Sequence, residues 1–298
     1  MPSEPPLPPA PPIEDGLARL AESHDHLILD LWGVLHDGVR AYAHAVETLR
    51  RLRAAGKQIL VLSNAPREVA VVREQMRCLG LSDDLYDLLM SSGQDVHDHL
   101  RERSDSWYQQ LGRRMYHIGP ERDHGIREGV DSELVTDIEA ADFLLVTGPP
   151  EPDKGLVPWE PVLDRAAERR LPLICANPDV VVMRGDTAEM CAGALARRYE
   201  ELGGEVRYHG KPTTAIYRTC FAMLGEPDPA RVMAVGDSLP TDIAGATAAG
   251  IAGVLVTGGI HAGELGVRMG EAPEPEVLAR LCHDKGIRPS AAIPAFRW

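Results

Sequence analysis

The stretch His26-Leu27-Ile28-Leu29-Asp30-Leu31-Trp32-Gly33-Val34-Leu35 decides the fold. A short apolar run that ends on a carboxylate and a glycine turn reads as a buried strand delivering a polar group at its carboxyl end. The same rhythm continues outward from it. A helix is expected from about Ala43 to Ala55, with Val46, Leu49 and Leu52 on one face and Gly56 closing it. Gln58-Ile59-Leu60-Val61-Leu62 reads as a second buried strand running into Ser63-Asn64-Ala65-Pro66. A helix over roughly Glu68 to Leu79 then leads to a strand at Asp87 to Ser92. Strand, helix, strand, helix, strand implies a doubly wound parallel α/β sheet, in which ligands sit at the carboxyl ends of the strands. Asp30 and Ser63 both fall there.

From about Gly93 to Val182 the pattern shifts to strand candidates Met115-Tyr116-His117-Ile118, Asp142 to Val146 and Leu173 to Ala176, separated by Gly- and Pro-rich loops. The first rhythm returns with Arg231 to Asp237, an Ala/Gly-rich helix over Asp242 to Ala249, and Gly253 to Thr257. The expected organisation is a discontinuous core, residues 21–92 and 183–298, interrupted by an α/β lobe at 93–182. Residues 1–20 are expected to be a disordered Pro-rich tail, with seven prolines between Met1 and Pro12.

Composition bounds the function. The 298 residues are 44% hydrophobic and 26% charged, the balance of a globular protein, and no run approaches the ~18 apolar residues of a spanning helix. The expected location is the cytoplasm. A net charge of −14 opposes nucleic acid and anionic membrane as partners. A small phosphorylated ligand is allowed only if a local cation or metal offsets that field. The five cysteines have no CxxC spacing and read as thiols in a reducing compartment.

Four segments carry polar groups at strand ends or helix starts: Asp30 to Leu35, Leu62-Ser63-Asn64, Gly210-Lys211-Pro212, and Gly236-Asp237-Ser238-Leu239-Pro240-Thr241-Asp242. Taken singly, Asp30 or Asp242 reads as a helix N-cap, Lys211 as surface charge, and Ser63 with Asn64 as turn formers. Asp237 and Asp242 together are more specific, because two carboxylates at one strand end repel unless a cation lies between them.

In this order the four segments resemble the haloacid dehalogenase superfamily, most closely its class IIA nitrophenylphosphatase-like branch. The likeness spans His24 to Gly259 and includes Gly38, Ala176-Asn177-Pro178-Asp179 and Thr257-Gly258-Gly259. It implies a Rossmann-like core with an inserted class II cap that acts as a lid, and a homodimer is compatible with such caps. It also implies a magnesium-dependent phosphohydrolase for a small phosphorylated metabolite, working through an aspartyl-phosphate at Asp30. The metal ligands implied are the Asp30 and Asp237 carboxylates and the Trp32 main-chain carbonyl, with Asp242 alongside. Ser63, the Asn64 backbone amide and Lys211 would hold the phosphoryl oxygens.

One residue departs from the pattern. The phosphatases of the superfamily carry a second Asp two positions after the nucleophile as the general acid and base; this sequence has Trp32. Indole does not titrate near neutral pH, so a contribution of roughly 10²–10⁴-fold is missing there. His36 and Asp37 are the nearest candidates for a substitute, and a polar turn Leu35 to Gly38 reads equally well. Besides a working phosphatase, two alternatives follow: an impaired phosphate-ligand binding or regulatory protein, and another superfamily reaction such as dehalogenation or P–C cleavage. In the lobe, His117, Asp123 and His124 read as solvated loop polarity, and Asn177 with Asp179 as a turn at the return to the core.

Overall fold

The computed structural model describes residues 7–185 and 187–298. The chain divides into two compact units, one formed by residues 7–62, 77–89 and 217–298, the other by 63–76 and 90–216.

Most of a six-stranded sheet belongs to the first unit, in the order Ala291–Ile293, Ala252–Val256, Val232–Gly236, His26–Leu29, Gln58–Ser63, Leu88–Ser91, with Ser63, Met90 and Ser91 counted in the second. Leu29 pairs in parallel with Val235 on one side and Val61 on the other. Leu27, Ile28 and Leu29 are buried, as are Ile59 to Leu62, so these strands are near-continuous apolar runs rather than alternating ones. That is the pattern of a parallel sheet covered on both faces. The helix Ala43–Ala54 buries Ala45, Thr48, Leu49 and Leu52 at helical spacing. Val232–Gly236 leads into a π-helical turn, Leu239–Ile243, before the α-helix Ala244–Ala249. A regular helix over Asp242 to Ala249 is the sequence expectation; a wide turn opens it instead.

The amino-terminal segment differs from a disordered tail of 20 residues. Ile13 bridges Ala292 in parallel, Ala292 N–H donates to Pro12 O at 2.8 Å, and Leu17 is fully buried. The physical reason is that proline lacks an N–H but keeps its carbonyl. Pro9 and Pro12 can accept from Arg288 and Ala292 while Ile13 packs on the cluster of Leu255, Leu278 and Ala292.

The second unit holds a five-stranded parallel sheet, Val206–Tyr208, Leu173–Cys175, Phe143–Val146, Arg114–Ile118, Glu133–Val135. Leu144 and Val146 point to one core cluster and Phe143 and Leu145 to another, so both faces are covered. Val181–Arg184 and Thr187–Met190 form an antiparallel hairpin beside it. Val206–Tyr208 joins this sheet although it follows residue 182, where sequence reading closes the lobe. Three half-buried residues at a sheet edge carry no apolar run to reveal them. No helix among the described residues is long and apolar enough to cross a membrane. Cys78 is exposed, the other four cysteines are buried, and all five are free thiols.

Candidate active site

In the first unit Asp30, Asp237 and Asp242 come together. All three are buried, and each offers a carboxylate oxygen within 4.8 Å of the other two. The sheet places them. Asp30 N–H donates to Val235 O at 2.9 Å, extending the ladder one residue past the strand, while Asp237 and Asp242 flank the turn after Val232–Gly236. Asp237 Oδ2 accepts from Ile260 N–H at 2.7 Å, and Asp242 Oδ2 from Ser238 N–H at 3.1 Å. Two glycines make the fit around Asp237. A Cβ on Gly33 would lie 1.9 Å from its Oδ2 and one on Gly259 2.2 Å from it.

Three buried carboxylates at this separation repel one another unless a cation joins them. Hard oxygen donors in such a group suit magnesium or calcium, so the residues fit the metal that the family resemblance implies. A second group with metal-ligand composition, Asp95, His99 and His209, lies in the other unit. There Tyr108 O–H reaches His209 Nε2 at 2.5 Å and His209 Nδ1 reaches Asp95 Oδ2 at 2.6 Å. The hydroxyl donates to Nε2 and Nδ1–H to the carboxylate, which leaves His209 no lone pair for a metal.

Trp32 is half-buried, with its indole edge-on to the His36 imidazole at 4.9 Å between centroids and a turn folded beneath it. Gly38 closes that turn, since a Cβ there would strike the indole at 2.2 Å. The two expected substitutes for the missing acid serve the turn. Gly38 N–H donates to His36 Nδ1 at 2.9 Å, His36 is fully buried, and burial takes its pKa down to about 4 despite the charge of Asp37. Burial works to raise the Asp37 pKa, but the N–H groups of Arg40 and Val39 and the Arg40 guanidinium outweigh it, leaving the carboxyl below its ordinary value. Neither group holds a proton to give near neutral pH.

In the second unit Ser63, Asn64 and Lys211 are all buried. The Asn64 amide clasps Lys211 by its backbone: Oδ1 accepts from Lys211 N–H at 2.8 Å and Nδ2 donates to Lys211 O at 3.2 Å. Nδ2 also donates to Asp179 Oδ1 at 3.0 Å, and Asp179 N–H in turn donates to Asn177 Oδ1. Asn177 and Asp179 thus support Asn64 as well as turning the chain. With Lys211 only 3% exposed, its ammonium is not solvated surface charge.

Sequence reading missed His261. Its Nε2 accepts from Leu239 N–H at 3.1 Å and its Nδ1 pairs with Glu264, which Lys285 also contacts. It therefore holds the first residue of the π-turn that carries Asp242. The available signal was its place two residues after Gly258-Gly259.

Residues 27–133 match the haloacid dehalogenase-like hydrolases and residues 208–283 a second group of hydrolases of that kind. A haloacid dehalogenase-like hydrolase from Brucella suis 1330 is 33% identical, with a TM-score of 0.80 over 95% of this chain and 99% of that one. The chain belongs to the haloacid dehalogenase-like hydrolase family. It is an enzyme of the hydrolase class. Chronophin from Bos taurus is 28% identical over 78% of this chain and 81% of its own. D-glycerol 3-phosphate phosphatase from Mycobacterium tuberculosis is 26% identical over 82% of this chain and 66% of its own.

Proposed function

We propose that this protein hydrolyses a small phosphate ester through an aspartyl-phosphate on Asp30. The observation that carries the reading is the grouping of Asp30, Asp237 and Asp242 at the carboxyl ends of adjacent parallel strands. An Asp30 carboxylate oxygen attacks phosphorus, the bond from phosphorus to the leaving oxygen breaks, and its electron pair departs with that oxygen. Water then attacks the same phosphorus, returning Asp30 and releasing phosphate. Ser63, the Asn64 backbone N–H and Lys211 hold the remaining phosphoryl oxygens and stabilise charge during transfer. Asp30, Asp237, Asp242 and the Trp32 carbonyl would hold a magnesium ion, which would supply the positive charge that lets a carboxylate meet a phosphate. The D-glycerol 3-phosphate phosphatase among its relatives supports a small phosphorylated metabolite as substrate class.

Trp32, with His36 and Asp37 committed to the turn, narrows the leaving group. A chain with no acid at that position favours aryl or acyl phosphates, whose leaving oxygens need little protonation. The alternative of a binding protein does not account for a nucleophile, a buried lysine and both acidic partners together. Dehalogenation needs no metal and leaves Asp237 and Asp242 without a purpose. The test is hydrolysis of p-nitrophenyl phosphate. Turnover is expected to require magnesium, to stop on chelation and to vanish in Asp30→Asn. Equal turnover by the wild type and Asp30→Asn overturns the reading.

A further inference from the structure

The second unit contains a cavity of about 170 Å³ at the carboxyl ends of Arg114–Ile118 and Glu133–Val135, lined by His117, Gly119, His124, Arg127, Leu134 and Thr136 among others. From Arg114–Ile118 the chain runs through the loop carrying His124 and Arg127 to the neighbouring strand Glu133–Val135, and the cavity is lined by these two strands and that loop. His117 is hydrogen-bonded through Nε2 to Thr147 Oγ1 at 3.0 Å. Gly119 packs closely on that pair, since a Cβ there would lie 2.0 Å from Thr147 Oγ1 and 2.3 Å from His117 Nε2.

The chemistry of the lining is one-sided. In a chain of net charge −14, this cavity gathers His117, His124 and Arg127, and none of its described lining residues is acidic. Asp123, the nearest carboxylate in the loop sequence, is turned away and paired with Arg67 at 2.8 Å. Arg127 Nε is buried and has no hydrogen-bond partner among the described residues. The His117 and His124 rings stand 5.6 Å apart. Burial, then the charges of Arg127 and His124, takes the His117 pKa down to about 3, which an anion among the three would reverse. Glu128 beside Arg127 offsets part of that guanidinium's charge without lining the cavity.

We propose that this cavity is a binding site for a small anion, a carboxylate or a phosphate group, held by Arg127 and His124 with His117 and Thr136 at its inner wall. A guanidinium and two imidazoles lining one space offer the charge and donors such a group needs. The volume admits a small organic acid or phosphate. The site stands whether or not Asp30 is a nucleophile.

The test follows the histidine side chains directly. The His117 and His124 imidazole resonances, assigned by His117→Gln and His124→Gln, are recorded while inorganic phosphate or succinate is added to the full chain. Saturable shifts of both resonances with either anion are expected, the more effective anion identifying the ligand class. In Arg127→Ala and in His124→Gln the apparent affinity, read at His117, is expected to fall at least about tenfold. His124 is exposed, so the second variant keeps the test valid should the first fail to fold. No saturable shift with either anion, or the same affinity in wild type and a folded variant, overturns the proposal.

Discussion

Gly33 lies against Asp237, so closely that a methyl group at Gly33 would stand 1.9 Å from Asp237 Oδ2. Gly33 also has φ of +73°, a backbone conformation that resists any side chain. Gly33→Ala must therefore move either the turn that follows Asp30 or the Asp237 carboxylate. Displacements of about 1 Å in a catalytic group cost on the order of 10²-fold. Turnover of p-nitrophenyl phosphate is expected to fall by at least that factor while circular dichroism stays native. Turnover within about threefold of wild type would show that the close approach does not matter to the site.

Trp32 offers the opposite experiment. The indole touches the turn but cannot give or take a proton, and His36 and Asp37 are both held in hydrogen bonds to that turn. Trp32→Asp is expected to raise kcat on alkyl phosphates by about 10²-fold or more and to change aryl phosphate turnover far less. Loss of the indole from Gly38 and His36 should lower stability by about 1–3 kcal/mol. An unchanged ratio of alkyl to aryl rates would mean that another group already supplies the proton.

The strand and helix rhythm around Asp30 and Asp237 was legible because buried parallel strands are continuous apolar runs, and both carboxylates stand at the ends of such runs. Val206–Tyr208 was not legible: three half-buried residues, one of them Arg207, show no periodicity. The π-turn at Leu239–Ile243 was equally hidden, since Pro240 and Asp242 suit a helix start of any kind. The bonds of His261 to Leu239 and of Asn64 to Lys211 join residues 22 and 147 positions apart. Neither pairing leaves a local signal. His36 reads equally well as a substitute acid and as a polar turn residue, because nothing in Leu35-His36-Asp37-Gly38 announces that the imidazole is turned inward.

A buried imidazole and a half-buried one, His36 and His117, make a pH prediction. Burial lowers His36 from 6.5 to about 4 and His117 from 6.5 to about 3. Between pH 6.5 and those values the unfolded chain binds protons that the folded chain refuses, so stability rises with pH in that window and is lost on acidification. Each group should contribute about 1–2 kcal/mol of loss between pH 6.5 and 5. Urea midpoints at pH 7.5 and 5 in chloride buffer are expected to differ less in His117→Asn than in wild type. An identical difference in both would show that His117 does not resist protonation.

The chain Tyr108, His209, Asp95 separates stability from chemistry in the second unit. Tyr108 is fully buried and its hydroxyl donates to His209 Nε2, whose other nitrogen donates to Asp95. Tyr108→Phe keeps the ring and leaves His209 Nε2 buried without a donor, at a cost of about 1–3 kcal/mol. Lys211 lies two residues beyond His209, yet its own backbone is clasped by Asn64 at both N–H and carbonyl. The Tyr108→Phe melting temperature should therefore fall by several degrees, about 2–4 °C for each kcal/mol in a chain of this size, while kcat at 25 °C stays near that of wild type. Asn64→Ala should show the reverse weighting, with turnover down at least about tenfold because Lys211 is no longer held. If Tyr108→Phe loses turnover as severely as Asn64→Ala, the histidine is fixing the lysine and the amide clasp is not sufficient.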